Sequence, residues 1–187
     1  MSLDYDASGD VRLACAVSAP SATGAVRVNE VQTGTTASAA DEFVELVNAG
    51  ATVAEIGGWK VVYRSAAGTS DTTLATIPSG TTLDPGGFYL LGGAAYAGSV
   101  TADQTFSAGL AASGGAAGIR DASGALVDSV GWGTATNALV ETSAATAPAA
   151  TASPGSSIQR LPDGRDTNAN ATDFTVTATA TPRAANR

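Results

Sequence analysis

Short apolar runs, in which branched and aromatic residues alternate with polar ones, recur along the chain between clusters of Gly, Pro, Asp and Thr. A period of two puts one face of a run on a core and the other toward water, which is the signature of strands rather than helices. The runs are Ala25 to Gln32, Glu42 to Val47, Trp59 to Tyr63, Leu74 to Ile77, Phe88 to Leu91, Gly118 to Asp121, Leu126 to Trp132, Ser157 to Leu161 and Phe174 to Thr177. No comparable stretch carries apolar residues at helical spacing, so the pattern predicts an all-β sandwich or barrel.

The turns between runs carry their own chemistry. Asp84-Pro85-Gly86-Gly87 places Pro where its fixed φ suits the second turn position and Gly where a type II turn needs positive φ. Asp121-Ala122-Ser123-Gly124 marks a hairpin, and Ile56-Gly57-Gly58 allows a sharp entry to the run beginning at Trp59. The uncharged Ala/Thr/Pro stretch from Thr142 to Gly155 reads as a mobile loop, spanning roughly 142–156.

Residues 1–24 look different: Met1-Ser2-Leu3 reads as vector-derived, and the rest as a flexible lead-in that could pair along a sheet edge. Its acids and short apolar core do not make an intact signal peptide. Residues 25–187 are then one sandwich domain. The lone cysteine, Cys15, falls in the lead-in and cannot close an intrachain disulfide.

Composition narrows the function classes. The chain has 187 residues, a formal net charge of -8 and no histidine. Without histidine, Ser-His-Asp and Cys-His machinery, His-ligated zinc and imidazole acid/base chemistry all drop out. The acidic balance, with Lys60 and the arginines scattered, removes the driving term for nucleic-acid binding. No apolar run is long enough for a membrane-spanning helix.

Taken in order, Val26 to Gln32, Glu42 to Asn48, Gly58-Trp59-Lys60-Val61, Leu83 to Leu91, Gly118 to Val130, Ser157 to Arg160 and Asp166 to Phe174 resemble the lamin tail domain in its bacterial form. The resemblance runs over about Ala25 to Asn186. It implies an immunoglobulin-like β-sandwich of about nine short strands with no established catalytic residues. It also implies an extracellular or cell-surface binding or interaction module, part of a larger bacterial protein whose other domains are often hydrolases. No rod or heptads accompany the domain, so filament assembly does not carry over. The Cys-Trp-Cys spacing of antibody-type domains is absent too.

Three constellations could carry chemistry. Asp163, Asp166, Asn168, Asn170 and Asp173 offer oxygens at short spacings, a candidate Ca²⁺ loop that meets the EF-hand pattern only by half. The competing and favoured reading is side-chain-to-backbone turns before the last strand. Glu30, Glu42 and Glu45 form an acidic cluster in which Glu30 would fall opposite about Val44. Paired carboxylates there could serve a hydrolase, although acceptance of backbone N–H bonds or pairing with Arg27 or Arg64 is the commoner use. Trp132, between Gly131 and Gly133 near a strand end, is the candidate exposed ring for a carbohydrate or protein ligand, against a core role for Trp59, Phe43, Phe88 and Phe174. The resulting expectation is a non-catalytic binding module, monomeric or weakly dimeric through an edge strand, with calcium as the only cofactor in view. A carboxylate hydrolase and a purely structural spacer are the alternatives. Asn170-Ala171-Thr172 is formally an N-glycosylation sequon.

Overall fold

The computed structural model describes residues 3–5, 11–13, 25–149 and 155–187. Within the lead-in, β1 (Leu3–Tyr5) and β2 (Val11–Leu13) pair antiparallel with each other. Cys15 and the rest of that segment lie outside the described residues.

The strands that follow are β3 (Val26–Thr33), β4 (Glu42–Asn48), β5 (Ala54–Glu55), β6 (Lys60–Ser65), β7 (Thr72–Thr76), β8 (Thr82–Leu83), β9 (Phe88–Gly92), β10 (Gln104–Thr105), β11 (Gly114–Arg120), β12 (Leu126–Gly133), β13 (Ser157–Arg160) and β14 (Phe174–Thr177). One helical turn, α1 (Asn170–Asp173), precedes β14. A six-stranded sheet in the order β10-β9-β4-β3-β13-β14 faces a four-stranded sheet in the order β12-β11-β6-β7, and β5 and β8 form a small ribbon. Each of the nine runs read from the sequence lies on one of these strands, with bounds shifted by a few residues. The parallel pair β9 and β10, the β5/β8 ribbon and α1 are additions.

Alternation explains how the sheets meet. Val28 and Val31 on β3, Val44 and Leu46 on β4, Leu91 on β9 and Ile158 on β13 share one core with Val61 on β6, Ile119 on β11 and Val130 on β12. Turn chemistry closes the hairpins as expected: Gly86 has φ +70°, Gly124 has φ +90°, and the Gly87 N–H donates to Asp84 O at 2.8 Å. All seven residues of β4 are buried, including those facing away from the core. Their cover is partly the C-terminal strap, residues 179–187, whose backbone N–H groups at Thr181 and Arg183 donate to Glu30 and Glu45.

The register corrects one expectation. Glu30 pairs with Glu45, not with Val44, because a bulge between Val28 and Glu30 adds a residue to β3 and advances every later partner by one. The Thr142 to Ala149 half of the supposed mobile loop packs on the domain: Ala145 bridges Trp132, and its carbonyl accepts the Gly133 N–H at 2.8 Å. Residues 150–154 lie outside the described residues.

Candidate functional site

The candidate calcium loop does not converge. Asp163 Oδ1 accepts from Asn29 Nδ2 at 2.9 Å and from the Asn186 N–H at 3.1 Å. Asp166 Oδ1 closes an Asx turn onto the Asn168 N–H at 3.0 Å, while Asn168 itself is exposed with φ +56°. Asn170 is fully buried: its Oδ1 accepts the Gly131 and Glu141 N–H groups, and its Nδ2 donates to Ser129 O and Glu141 Oε2. Such burial also closes the sequon to a glycosyl group in the folded protein. Asp173 accepts from the Thr167 N–H and hydroxyl at 2.7 and 2.9 Å. The side chains that would have formed a cation shell instead fix turns and join β12 to the chain before β14.

A different acidic trio does come together. Asp128, Glu141 and Asp166 bring carboxylate oxygens within 4.8 Å of one another, and only Asp166 belonged to the expected set. Two guanidinium groups stand among them. Arg160 meets both oxygens of Asp128 at 2.9 and 3.0 Å, and Arg27 meets Asp166 at 2.9 Å. Burial raises Asp128 to about 6 against the opposing pull of Arg160, and burial together with the Asp128 charge raises Glu141 to about 7. This is an internal ionic network whose positive charge is already in place.

Trp132 is not an exposed platform. It is 0% exposed, its ring lies 6.2 Å from Tyr63, and its Nε1 donates to Ala111 O at 2.9 Å. The flanking glycines serve close approach: a Cβ on Gly131 would come within 2.5 Å of Val140 Cγ2, and Gly133 has φ +60°. The segment after β12 folds back over the strand end and covers the ring. Trp59, Phe43 and Phe174 are buried as expected.

The three glutamates part company. Glu42 accepts the Leu110 N–H at 2.6 Å, and burial pushes it up to about 7. Glu30 and Glu45 lie side by side on the outer face of the six-stranded sheet. Glu30 accepts from Ser157 Oγ at 2.6 Å, Gln159 Nε2 at 2.9 Å and the Thr181 N–H at 3.0 Å, yet burial raises it above the usual carboxylate range. Glu45 Oε2 accepts the Arg183 N–H at 2.6 Å, and Oε1 meets no donor in good geometry among the described residues. Burial, opposed by the Arg183 N–H and reinforced by the Glu30 charge, pushes Glu45 up to about 8. Arg27 and Arg64 pair with other acids, Asp166 and Asp71. A carboxyl pair of this kind can hold a proton, but both members are fully buried and neither is among the described residues that line the neighbouring pocket.

That pocket was not anticipated. About 250 Å³ in volume, it opens between the loop after β9 and the strap, with Gln32, Asp41, Phe43, Tyr96, Thr179 and Pro182 in its wall. Tyr96 packs edge-on to Phe43, ring centroids 6.0 Å apart at 78°. Its hydroxyl is buried without a hydrogen-bond partner among the described residues, and burial, then the charges of Glu45, Asp41 and Glu30, push the phenol up to about 12. The sequence signal was a lone aromatic within Gly92-Gly93-Ala94-Ala95-Tyr96-Ala97-Gly98, where small residues let the ring lie against the backbone. A Cβ on Gly92 would stand 3.0 Å from that ring.

Two facing sheets of six and four strands around one core define an immunoglobulin-like β-sandwich. The model of the Lamin Tail Domain family matches residues 19–134, more than half of the chain, and the chain belongs to that family. No curated protein matches it. The matched stretch ends just after β12, so β13, β14 and the strap, whose residues carry part of the resemblance, lie beyond it.

Proposed function

We propose that this domain is a non-catalytic binding module of a larger bacterial cell-surface or secreted protein, and that the Tyr96 pocket is its recognition site. The observation that carries the reading is a buried hydroxyl left without a partner among the described residues, in the wall of an open pocket, since buried polar groups in folded proteins are otherwise nearly always satisfied. The hydrolase alternative loses its support because Glu30, Glu42 and Glu45 all accept from backbone N–H groups. The resemblance to bacterial lamin tail domains supports the extracellular setting.

The test is a titration of the isotope-labelled protein with a panel of small polar and aromatic fragments, followed by amide chemical shifts. Saturable shifts confined to Tyr96, Ala97, Gly98 and Thr179 are the expected result. Absence of any saturable shift at those residues would leave the spacer reading.

A further inference from the structure

We propose that the Tyr96 pocket takes a primary alkylammonium group, either a free amine or a lysine side chain, with the ammonium between Asp41 and the Tyr96 hydroxyl and the stem along the Phe43 and Tyr96 rings. This inference rests on the reading of the pocket as the recognition site.

The wall chemistry favours a donor with positive charge. Among the described residues lining the pocket, Asp41 is charged and none is Lys or Arg. Asp41 Oδ1 accepts the Ala97 N–H at 2.9 Å and Oδ2 accepts Thr35 Oγ1 at 3.0 Å. Each carboxylate oxygen can take more than one bond, so both keep acceptor capacity. The Tyr96 hydroxyl, which can accept as well as donate, has no partner among the described residues. An ammonium carries three donors and no acceptor, which matches the acceptor capacity that Asp41 and the Tyr96 hydroxyl keep.

The field has the same sign. Asp41 acts on the Tyr96 hydroxyl as a negative charge, the Glu30 and Glu45 pair adds to it only as far as it is ionised, and Arg183, which opposes them, pairs with Asp103 at 2.5 Å. An anion brought there would meet Asp41 and lose its own hydration. Two rings at a steep angle give an ammonium and its methylenes a corner to pack in, a geometry that also attracts cations. At about 250 Å³ the space falls below the range of drug-sized sites and suits a short chain.

The experiment is an amide-shift titration with n-butylammonium chloride, n-pentanol and sodium valerate, which are similar in size and differ in charge. A fourth arm, acetyl-lysine methylamide, separates a protein-borne amine from a free one. The expected result is saturable binding of butylammonium at on the order of millimolar concentration, at least about tenfold tighter than pentanol, with no binding of valerate. Tyr96→Phe keeps the ring and is expected to weaken binding several-fold, and Asp41→Asn by about tenfold. If acetyl-lysine methylamide binds as well as butylammonium, the amine can come from a partner protein; if only butylammonium binds, it is a free amine. Pentanol or valerate binding as tightly as the amine overturns the cation while leaving a recognition site. No shift at Tyr96 or Ala97 with any probe overturns both readings.

Discussion

Glu30 on β3 and Glu45 on β4 face each other as direct register partners, both fully buried, with the strap's Thr181 and Arg183 N–H groups donating to them. Two carboxylates so placed cannot both be ionised cheaply, and the pair holds a proton to an unusually high pH. The folded Glu45 releases its proton near pH 8, whereas an unfolded Glu does so near 4.5. Between those values the folded state binds the extra proton. The stability it contributes is therefore complete below pH 4.5 and lost as the pH rises through about 8. Glu42 and Glu141, each raised to about 7, act in the same direction. Urea unfolding is expected to show stability falling from pH 5 to pH 8, with Glu45 alone giving a slope of up to about 1.4 kcal/mol per pH unit. Glu45→Gln keeps an acceptor for the Arg183 N–H and cannot ionise, so it should flatten the profile and equal or exceed the native protein at pH 8. An unchanged slope in the variant would contradict this.

How much of this was legible in the sequence depended on distance along the chain. The Pro85-Gly86 and Ser123-Gly124 turns were readable because their φ requirements are met by residues in the turn itself. The register at Glu30 was not, since the bulge leaves Asn29 to bond Asp163 and Gly164, more than a hundred residues away. Trp132 looked exposed because its flanking glycines were visible while Ala145, which bridges it and shares its core cluster, belonged to a segment with no strand signal. The five side chains Asp163, Asp166, Asn168, Asn170 and Asp173 had the spacing of ligands. A single helical turn sends Asn170 inward to Gly131 and Ser129, and no local pattern encodes that.

Arg160 and Asp128 tie the two sheets together through the core. Arg160, on β13 of the six-stranded sheet, is 0% exposed and donates to Asp128 on β12 of the four-stranded one, to Val28 O at 2.8 Å and to Arg165 O. Its guanidinium also lies 4.6 Å from the Phe174 ring centroid. Replacing one partner strands the other as a buried, uncompensated charge, so Arg160→Met is expected to cost about 3–5 kcal/mol in urea unfolding. The double variant Arg160→Met/Asp128→Leu should recover a large part of that loss. A double variant as unstable as the single one would mean that the packing of Arg160, not its charge, is what matters.

Trp132 and Trp59 are both buried, at 0% and 3% exposure. Native tryptophan emission is expected to be blue-shifted and nearly insensitive to iodide, and to become quenchable on unfolding. Trp132→Ala is expected to cost about 3–5 kcal/mol, the range for deleting a large core ring. The same substitution should leave the affinity of any pocket ligand unchanged in the fraction that remains folded. Iodide quenching of the native protein would return Trp132 to the surface.

Calcium has to compete with arginine in this fold. Asp128, Glu141 and Asp166 approach one another as a cation shell would require, but Arg27 and Arg160 already supply the positive charge between them. A divalent ion would have to expel a guanidinium that makes two hydrogen bonds to Asp128 from a site with 0% exposure. Thermal melting with millimolar calcium and with EDTA is therefore expected to give the same midpoint. Arg27→Ala changes the balance: it removes the more accessible guanidinium and leaves Asp166 and Glu141 with less compensation. In that variant a calcium-dependent rise in midpoint is expected, scaling with the logarithm of the ion concentration. A rise in the native protein would show that the arginines yield to the metal, and the network would then be a cation site after all.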